Sequence, residues 1–465
     1  MNAFLLRDVV VDGARVDVRI GDGRIADVRS GLEPVDDDGR SIAVVDGEGG
    51  ALIPGLHDHH VHILALAARR RGTDVDALAT PAAFDEAVVD ACRASAGGWV
   101  RVAGHDEHRH GPVDRDRLDR LAPEVPVRVQ HRSGLAWTLS TAALEVVDIG
   151  TAPDGSIEVD DRGRPTGRVL RADDWLAARI GVEPPPLATI GAEMAAMGLT
   201  GLTDATPDIG AGRLSVLREA VRSGDLPQRL VVLGAEESDV GGWAEVGPAK
   251  LLADEVRGLD PVALGDAVGE RHRAGRAVAI HAVTRAETVT AVTALALAGP
   301  MAGDRIEHGS VLPFDLDAVL AAGRVTVVAQ PSLPFERGDH HLRSSDEFDI
   351  PLLHRLASLR AAGVPLAAGS DAPVTSIDPW AAIGAAITRS TRDGTPIGPD
   401  EALAPMEALD LFLADPLAPA GPSRRVRRGA LADLVLLDAP IDAVLASPDR
   451  HHVRCTWIGG RLVHG

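Results

Sequence analysis

The sequence contains no tyrosine, two cysteines and a single lysine among its 465 residues. Cys92 and Cys455 are far apart and have neither metal-binding nor redox spacing, so we expect two free thiols in a reducing cytoplasm. The amino-terminal residues lack the basic region and apolar core of an export signal, and no apolar stretch reaches the roughly 18 residues of a membrane helix. We therefore expect neither export nor a membrane span.

Negative charge is in excess. The chain has 68 acidic and 47 basic residues, which leaves a formal charge of −21 at pH 7. Such a charge repels phosphate backbones and anionic lipid surfaces, so we expect no nucleic-acid or membrane partner and favour a small-molecule substrate. The length of the chain exceeds that of a usual single domain and predicts a large core with at least one appended unit.

Apolar and polar residues alternate between turn signals at both ends of the chain. They do so at residues 4–11, 15–20 and 24–28 near the amino terminus, and at residues 432–437, 453–458 and 461–463 near the carboxy terminus. A period of two is typical of short strands, here antiparallel because tight turns separate them. Two small β pieces are therefore predicted to bracket the chain.

The middle of the chain alternates short apolar runs with helical patterns. The runs end in polar residues, as the strands of a parallel (β/α)8 TIM barrel do. Eight candidate strands lie at residues 52–53 (leading to His60 and His62), 201–204, 230–233, 249–251, 277–281, 305–308, 325–330 and 364–371. The first two are separated by far more than one βα repeat, so residues from about 70 to 185 are predicted to form an inserted lid or substrate-binding subdomain.

His60 and His62 form an H-x-H motif directly after one candidate strand. Alternate residues of an extended chain share one face, so both imidazoles can reach one metal ion, and Asp58 has the same parity. His57 and His59 form a competing pair on the opposite face. The spacing alone therefore leaves the choice of pair open.

Three further residues of metal-ligand type, His281, His308 and Asp371, each end a separate apolar run. In a parallel barrel the carboxyl ends of all strands meet at one rim, so these side chains are expected to converge with the H-x-H motif. Imidazole and carboxylate together suit zinc, manganese or iron. The recurrence favours a metal site over four separate structural histidines.

Lys250 is the only lysine of the chain and lies at the end of another candidate strand. Arginine can replace lysine as a surface charge, but only a desolvated lysine amine can become neutral and reactive. A neutral amine can take up carbon dioxide and become a carbamate that bridges two cations. The alternative is a structural lysine without chemistry.

Together these residues resemble the amidohydrolase superfamily, and within it the amidohydrolase-3 branch of metal-dependent hydrolases. The resemblance rests on the order of an H-x-H motif after Pro54 and Gly55, a lysine, two histidines, and Asp371 in a Gly-Ser-Asp motif. It covers nearly the whole chain, with supporting motifs at residues 305–308, 330–331, 369–374, 378–380 and 432–435.

The resemblance implies a TIM barrel over residues 54–424 and one composite β-sandwich made from residues 1–53 and 425–465. It also implies two divalent metal ions, zinc in the first place, with manganese or iron as alternatives. His60, His62 and Asp371 would hold the more buried ion, and His281 and His308 the second. A carbamylated Lys250, formed with CO2, and a hydroxide would bridge them. Barrels of this kind often form homodimers, although the sequence shows no interface signature.

The implied reaction is hydrolysis of a non-peptide carbon–nitrogen bond, in a cyclic or N-acyl amide, by metal-activated hydroxide. Asp371 would act first as general base and then as general acid toward the leaving nitrogen. Three alternatives stay open: an ester or lactone hydrolase, a mononuclear deaminase of a nucleobase-like ring, and a non-catalytic scaffold. The deaminase does not need Lys250, so replacing that residue distinguishes it from the hydrolase.

The substrate pocket is less clearly marked. Candidate pocket residues at or near the ends of apolar runs are His105, His131, Arg132, Gln330 and Ser332. Arg132 could hold a substrate carboxylate. Where relatives often have a glutamate after a Pro-Thr-Gly turn, this chain has Arg171, with Asp173 and Asp174 just beyond, and the sequence assigns no role to these two aspartates.

Overall fold

The computed structural model describes residues 3–95, 97–134, 136–181, 185–255 and 258–465, with the side chain of Asp174 left out. The chain folds into two compact units. Residues 1–62 and 187–465 form the first unit, and residues 63–186 form the second. The predicted insertion, from about residue 70 to 185, lies inside the second unit.

Strands predominate at the ends of the chain and alternate with helices in its middle. In chain order the strands are β1 (Phe4–Val11), β2 (Ala14–Gly21), β3 (Arg24–Arg29), β4 (Ala43–Asp46), β5 (Leu52–Pro54), β6 (Leu56–Val61), β7 (Thr73–Asp74), β8 (Val100–His105), β9 (Val127–His131), β10 (Ala136–Leu139), β11 (Ile157–Val159), β12 (Pro165–Leu170), β13 (Leu199–Asp204), β14 (Arg229–Val232), β15 (Glu245–Val246), β16 (Ala249–Leu252), β17 (Val278–Ala282), β18 (Arg305–His308), β19 (Thr326–Ala329), β20 (Leu366–Ala368), β21 (Leu434–Leu437), β22 (Val453–Ile458) and β23 (Arg461–His464).

The helices follow the same order. They are α1 (Ile63–Arg70), α2 (Pro81–Ala94), α3 (Glu107–His110), α4 (Arg115–Leu121), α5 (Thr141–Val147), α6 (Asp173–Ile180), α7 (Ala188–Ala196), α8 (Ala211–Ser223), α9 (Glu237–Val240), α10 (Pro261–Arg273), α11 (Arg285–Ala298), α12 (Asp317–Gly323), α13 (Ser332–Ser344), α14 (Ala357–Ala361), α15 (Pro379–Thr388), α16 (Pro405–Leu413) and α17 (Ile441–Ala446). Within the described residues, none of these helices is both long and apolar enough to cross a membrane.

Both chain ends contribute to one apolar core in the first unit. β1 pairs antiparallel with β2, which pairs with β3, whereas β4 runs parallel to β1. A second sheet has the order β23-β22-β21-β5, so a strand from the amino-terminal part pairs with the carboxy-terminal strands. Alternate residues of both sheets are buried together, among them Leu6, Ile20, Leu436 and Trp457. The alternating pattern thus reflects sheets with one buried and one exposed face.

The rest of the first unit is an α/β structure with two parallel sheets. One sheet has the order β15-β14-β13-β6, and the other β16-β17-β18-β19-β20. Their central strands are buried on both faces, as expected for parallel strands covered by helices. Two backbone hydrogen bonds connect the two sheets. The N–H of Asp371, which follows β20, donates to the carbonyl of His60 in β6 at 2.6 Å, and the N–H of Lys250 in β16 donates to the carbonyl of Leu233, which follows β14, at 3.4 Å. The predicted α/β class is confirmed.

The prediction that Leu52 and Ile53 belong to the strand leading to His60 is wrong. These residues form β5, which pairs antiparallel with β21. His60 belongs to the separate strand β6, and His62 directly follows it. The break falls at Gly55, where an added Cβ would lie 2.1 Å from the Thr200 side chain. Only glycine permits this close approach, and it lets the chain pass from one sheet to the other.

The second unit is built on a six-stranded sheet of order β11-β12-β10-β9-β8-β7. β7, β8 and β9 run parallel, whereas β10, β11 and β12 pair antiparallel. The valines of β8 and β9 pack with Phe84 of α2 in one core, and Trp137 and Val169 belong to a second core. The unit therefore has hydrophobic cores of its own.

Candidate metal centre

His60 of β6, His62 directly after that strand, and an aspartate after β20 converge in the first unit. Nε2 of His62 lies 3.2 Å from Oδ1 of Asp371, and Nε2 of His60 lies 3.5 Å from the same oxygen. One ligand atom from each residue falls within 4.8 Å of the other two. Two imidazoles and a carboxylate at this spacing have the right atoms and the right closeness to hold one divalent ion.

Asp58 connects the two segments that carry these ligands. Its Oδ1 accepts hydrogen bonds from the backbone N–H groups of His60 and Ser370, each at 3.0 Å. The same two segments are also closely packed at Gly369, where an added Cβ would lie 2.4 Å from the backbone nitrogen of His60. Asp371 then adopts a left-handed conformation, with φ of 54°. The Asp58 hydrogen bonds and the close packing at Gly369 thus hold the segment that carries this carboxylate against His60.

His281 and His308 form a second pair beside this group. They lie on the neighbouring strands β17 and β18, and Nε2 of His308 is hydrogen-bonded to Nδ1 of His281 at 2.9 Å. Nδ1 of His308 lies 4.0 Å from Oδ2 of Asp371, so the aspartate lies between the two histidine pairs. His308 also has a left-handed backbone, with φ of 73°.

Lys250 lies on β16, next to the strand that carries His281. Its ammonium group is buried and has no hydrogen-bond partner in the described part of the chain. Burial lowers the pKa of Lys250 to about 8. Burial, and after it the charge of Lys250, lowers the pKa values of His60 and His281. A buried, unpartnered amine is costly in a folded protein unless it binds something.

The protonation states suit metal ligands. Burial lowers the pKa values of His60 and His308 well below their ordinary range, which keeps both imidazoles neutral. Burial would raise the pKa of Asp371, but the hydrogen bond from His62, together with the neighbouring His308 and Lys250, lowers it overall. Nε2 of His60 is buried without a hydrogen-bond partner among the described residues, as expected of a ligand atom reserved for an ion. The residues therefore fit a metal ion.

Glu307 and Arg305 form a buried pair to which the sequence assigned no role. Nδ1 of His60 donates a hydrogen bond to the Glu307 carboxylate, and all three side chains are fully buried. Arg305 donates to both oxygens of Glu307 and, at 2.7 Å, to the His59 carbonyl. Strand alternation could have revealed the pair, because residues 305 and 307 of an apolar strand share one face.

The competing pair, His57 and His59, does not join the group formed by His60, His62 and Asp371. Nε2 of His57 is hydrogen-bonded to Oγ1 of Thr203 at 2.8 Å, and an added Cβ on Gly201 would lie 2.3 Å from the His57 ring. Burial lowers the pKa values of His57 and His59 well below the ordinary value. His57 is thus packed against the neighbouring strand β13, and the carboxylate of Asp371 meets His60 and His62.

Two of the predicted pocket residues lie in the first unit. Oε1 of Gln330 accepts a hydrogen bond from Nδ1 of His308 at 2.8 Å, so this glutamine contacts a candidate ligand. Ser332 begins α13, and its hydroxyl is buried without a partner in the residues that the structure describes. Gln330 therefore orients His308, and Ser332 stays a candidate for substrate contact.

The other predicted pocket residues lie in the second unit. Each forms a hydrogen bond within that unit. Nε2 of His105 bonds to the Gly111 carbonyl at 3.0 Å, and Nε2 of His131 bonds to Oε2 of Glu107 at 3.0 Å. Arg132 donates to the Asp106 carboxylate. Asp173 accepts a hydrogen bond from the Trp137 indole, and the side chain of Asp174 lies outside the described residues. A substrate-binding role for these residues stays a prediction.

A profile of the amidohydrolase family matches residues 43–464. The chain belongs to the amidohydrolase family. This match spans both units and confirms the resemblance drawn from the motifs.

The chain is also similar to one relative in sequence and to two solved proteins in fold. The N-substituted formamide deformylase of Arthrobacter pascens is 26% identical over an alignment of 512 positions, which covers 96% of this chain and 94% of the relative. An uncharacterized metal-dependent hydrolase of Pyrococcus horikoshii OT3 has a similar structure, with a TM-score of 0.76 at 16% identity over 97% of this chain and 100% of the other. The structure of N-isopropylammelide isopropylaminohydrolase from Burkholderia multivorans ATCC 17616 has a TM-score of 0.55 at 19% identity. The match covers 99% of this chain and 98% of the other.

Proposed function

We propose that this amidohydrolase is a binuclear metal-dependent enzyme that hydrolyses a non-peptide carbon–nitrogen bond in an N-acyl or cyclic amide. The observation that carries the proposal is the position of Asp371, whose Oδ1 lies within 3.5 Å of Nε2 on both His60 and His62. The similarity to an N-substituted formamide deformylase supports the bond type. The proposed substrate is a small molecule. We also propose a cytoplasmic enzyme, because free cysteines are typical of a reducing compartment.

We infer that the two parallel sheets of the first unit form one closed (β/α)8 barrel. β6 and β20 meet through the parallel bridge between Val61 and Ala372, and β15 and β16 follow one another with two residues between them. If β15 and β16 are counted as one strand, the ring contains eight strands. Its strand ends would then bring β6, β16, β17 and β18 to one rim, where TIM-barrel enzymes carry their active sites.

The candidate ligands divide into two sets. His60, His62 and Asp371 would hold the more buried ion, and His281 and His308 would hold the second. Lys250 would bridge the two sets as a carbamate, after its neutral amine forms an N–C bond to CO2 and releases a proton. Burial favours this reaction, because the lowered pKa of Lys250, about 8, increases the neutral fraction of the amine near neutral pH. Nitrogen and oxygen ligands of this kind favour zinc, with manganese or iron as alternatives.

Bound divalent ions would lower the pKa of the attacking water and would act as Lewis acids that polarise the substrate carbonyl. Asp371 takes the proton from that water as oxygen attacks the carbonyl carbon. The same carboxylate then delivers the proton to the nitrogen as the carbon–nitrogen bond breaks, so the products are an acid and an amine. The lowered pKa of Asp371 keeps the carboxylate ionised and able to accept the proton in the first step.

A panel of substrates tests this function. The purified enzyme is assayed for amine release from N-substituted formamides, N-acyl amino acids and cyclic amides, with Asp371→Asn as the inactive control. We expect turnover of at least one of these amide classes and none by the variant. Turnover restricted to esters or lactones would contradict the proposed bond type.

A mononuclear deaminase is the second candidate, because His60, His62 and Asp371 alone make a complete single-ion group. The same assay distinguishes it by following ammonia release from amino-substituted nucleobase-like rings. If only those substrates react, and Lys250→Ala keeps the activity, the deaminase replaces the amide hydrolase.

A further inference from the structure

Two arginines lie side by side on one face of the sheet in the second unit. Arg101 of β8 and Arg128 of β9 are direct partners in the parallel register, so their side chains project to the same side. Arg128 is only 9% exposed, and Arg101 is partly buried. The opposite face of these two strands carries Val100, Val102 and other valines of an apolar core, so the two charges are confined to one side.

Neither guanidinium has the partners expected of a buried cation. The Nε atoms of both arginines are buried and have no hydrogen-bond partner in the described part of the chain. Nη2 of Arg101 donates to Oε1 of Gln130 at 2.7 Å, and Arg128 donates to no group in the same part of the chain. No described carboxylate forms an ion pair with either arginine. Buried arginines without such partners are rare in folded proteins.

Aromatic rings compensate for part of the lost hydration. The guanidinium carbons of Arg101 and Arg128 lie 5.1 Å and 5.2 Å from the centre of the Trp137 ring, within the range of cation–π attraction. The indole N–H of Trp137 donates to Oδ1 of Asp173 at 2.8 Å. Burial lowers the pKa values of both arginines, and the field of Asp173 offsets only part of that shift, since Arg128 and Arg69 also repel the charge of Arg101.

The arrangement is electrostatically incomplete. Burial lowers the pKa values of both arginines to about 10, which leaves both charged at neutral pH. Like charges opposite one another on neighbouring strands destabilise a sheet, and burial strengthens their repulsion. This occurs in a chain whose net charge is −21, where acidic partners are abundant. A bound anion would neutralise the pair and accept hydrogen bonds from the Nη groups of Arg128, which donate to no described group.

We propose that Arg101 and Arg128 form a binding site for a small oxyanion, a carboxylate or a phosphate group, beside Trp137 in the second unit. The planar fork of N–H donors on each guanidinium matches both kinds of oxyanion. None of these residues belongs to the candidate metal centre, so the site stands independently of the proposed hydrolase function.

Calorimetric titration of the whole enzyme tests the site. Acetate and inorganic phosphate are added separately to the wild type, to Arg128→Gln, and to Arg164→Gln as a matched control, since Arg164 is an exposed arginine of the same unit that pairs with Asp116. We expect one anion per wild-type chain. Affinity should fall at least about tenfold in Arg128→Gln, the loss expected when a charged donor is removed, and stay unchanged in the control. Preference for acetate identifies a carboxylate site, and preference for phosphate a phosphate site.

Equal binding in all three proteins would overturn the proposal, because phosphate bound elsewhere, for instance at a metal ion, does not depend on Arg128. No binding of either anion to the wild type would also overturn it and leave a purely structural cation–π cluster. If Arg128→Gln does not fold, a crystal of the wild type soaked in bromide tests whether an anion binds at the two guanidinium groups. An anomalous peak within hydrogen-bond distance of both guanidinium groups supports the site, and its absence contradicts it.

Discussion

Nδ1 of His60 is hydrogen-bonded to the carboxylate of Glu307, and both side chains are fully buried. This contact places the proton of the neutral imidazole on Nδ1 and leaves the lone pair of Nε2 directed toward Asp371, 3.5 Å away. Carboxylates that bond to the outer nitrogen of a metal-binding histidine fix its orientation and increase its basicity. Glu307 is therefore a positioning residue for the candidate metal centre.

Glu307→Gln should weaken metal binding by about 10- to 100-fold, the usual effect of losing such a partner. Glutamine is neutral and can present an N–H donor to Nδ1, which would allow the wrong tautomer of His60. Affinity is measured by competition with a chromophoric chelator. The matched control is Asp304→Asn, which alters another buried carboxylate–histidine pair, with His272 at 3.0 Å. Equal metal affinity of both variants would contradict the positioning role.

Lys250→Ala should remove one of the two metal ions and reduce turnover about a hundredfold or more, because a bridging carbamate contributes several kcal/mol of ligand and charge stabilisation. Elemental mass spectrometry gives the metal content, and the amide assay gives the rate. A short carboxylic acid added to the variant should restore part of the activity by taking the place of the carbamate. A variant with full metal content and full activity would show that Lys250 has no bridging role.

Gly369→Ala should disturb the metal centre, because the new Cβ would lie 2.4 Å from the backbone nitrogen of His60. We expect a loss of about 1–3 kcal/mol in the free energy of unfolding, typical of overpacking, together with weaker metal binding. Gly384→Ala is the control. Its Cβ meets nothing within 4 Å, and α15 should gain up to about 1 kcal/mol from alanine. Melting temperatures and metal titrations compare the two variants, and an unperturbed metal site in Gly369→Ala would contradict the described packing.

Glu401 should make the stability of the first unit depend on acid pH. Burial alone would raise its pKa, but hydrogen bonds from Ser358 and from the Leu356 and Ser358 backbone lower it below its ordinary value of 4.5. A lowered folded-state pKa means that the carboxylate stabilises the fold above about pH 4.5, and that this contribution is lost as the pH falls through the folded value.

Glu401→Gln should therefore lower the free energy of unfolding by about 1–3 kcal/mol at pH 7, and by less near pH 3. Thermal melts at both pH values measure the difference, with the exposed Glu124→Gln as the control. A penalty that stays constant between pH 7 and pH 3 would argue against an ionised, hydrogen-bonded Glu401.

The candidate ligands could be found in the sequence because each lies at or shortly after the end of a strand. The carboxyl ends of parallel strands lie close together, so separate runs that end near His281, His308 and Asp371 point to one place. The structure brings these residues to the H-x-H motif. The exact strand bounds were harder to predict: β20 ends at Ala368, and Asp371 reaches the site through a left-handed turn that no periodicity reveals.

Other features depend on contacts between distant residues. The role of Glu307 follows from its contact with His60, 247 positions away, and the sequence offered only the pattern of two charges in an apolar strand. The pairing of Arg101 with Arg128 depends on register between β8 and β9, which hydrophobic patterning does not determine for adjacent parallel strands. Leu52 and Ile53 were assigned to the wrong sheet because Gly55, which separates β5 from β6, resembles an ordinary turn residue in the sequence.

The number of metal ions per chain tests the binuclear centre most directly, measured by elemental mass spectrometry on protein purified without chelator or added metal. We expect about two ions, zinc foremost, with loss of one in Lys250→Ala and further loss in Asp371→Asn. A single ion would favour the mononuclear deaminase. No ion, with no binding on titration, would contradict the metal centre and with it the proposed function.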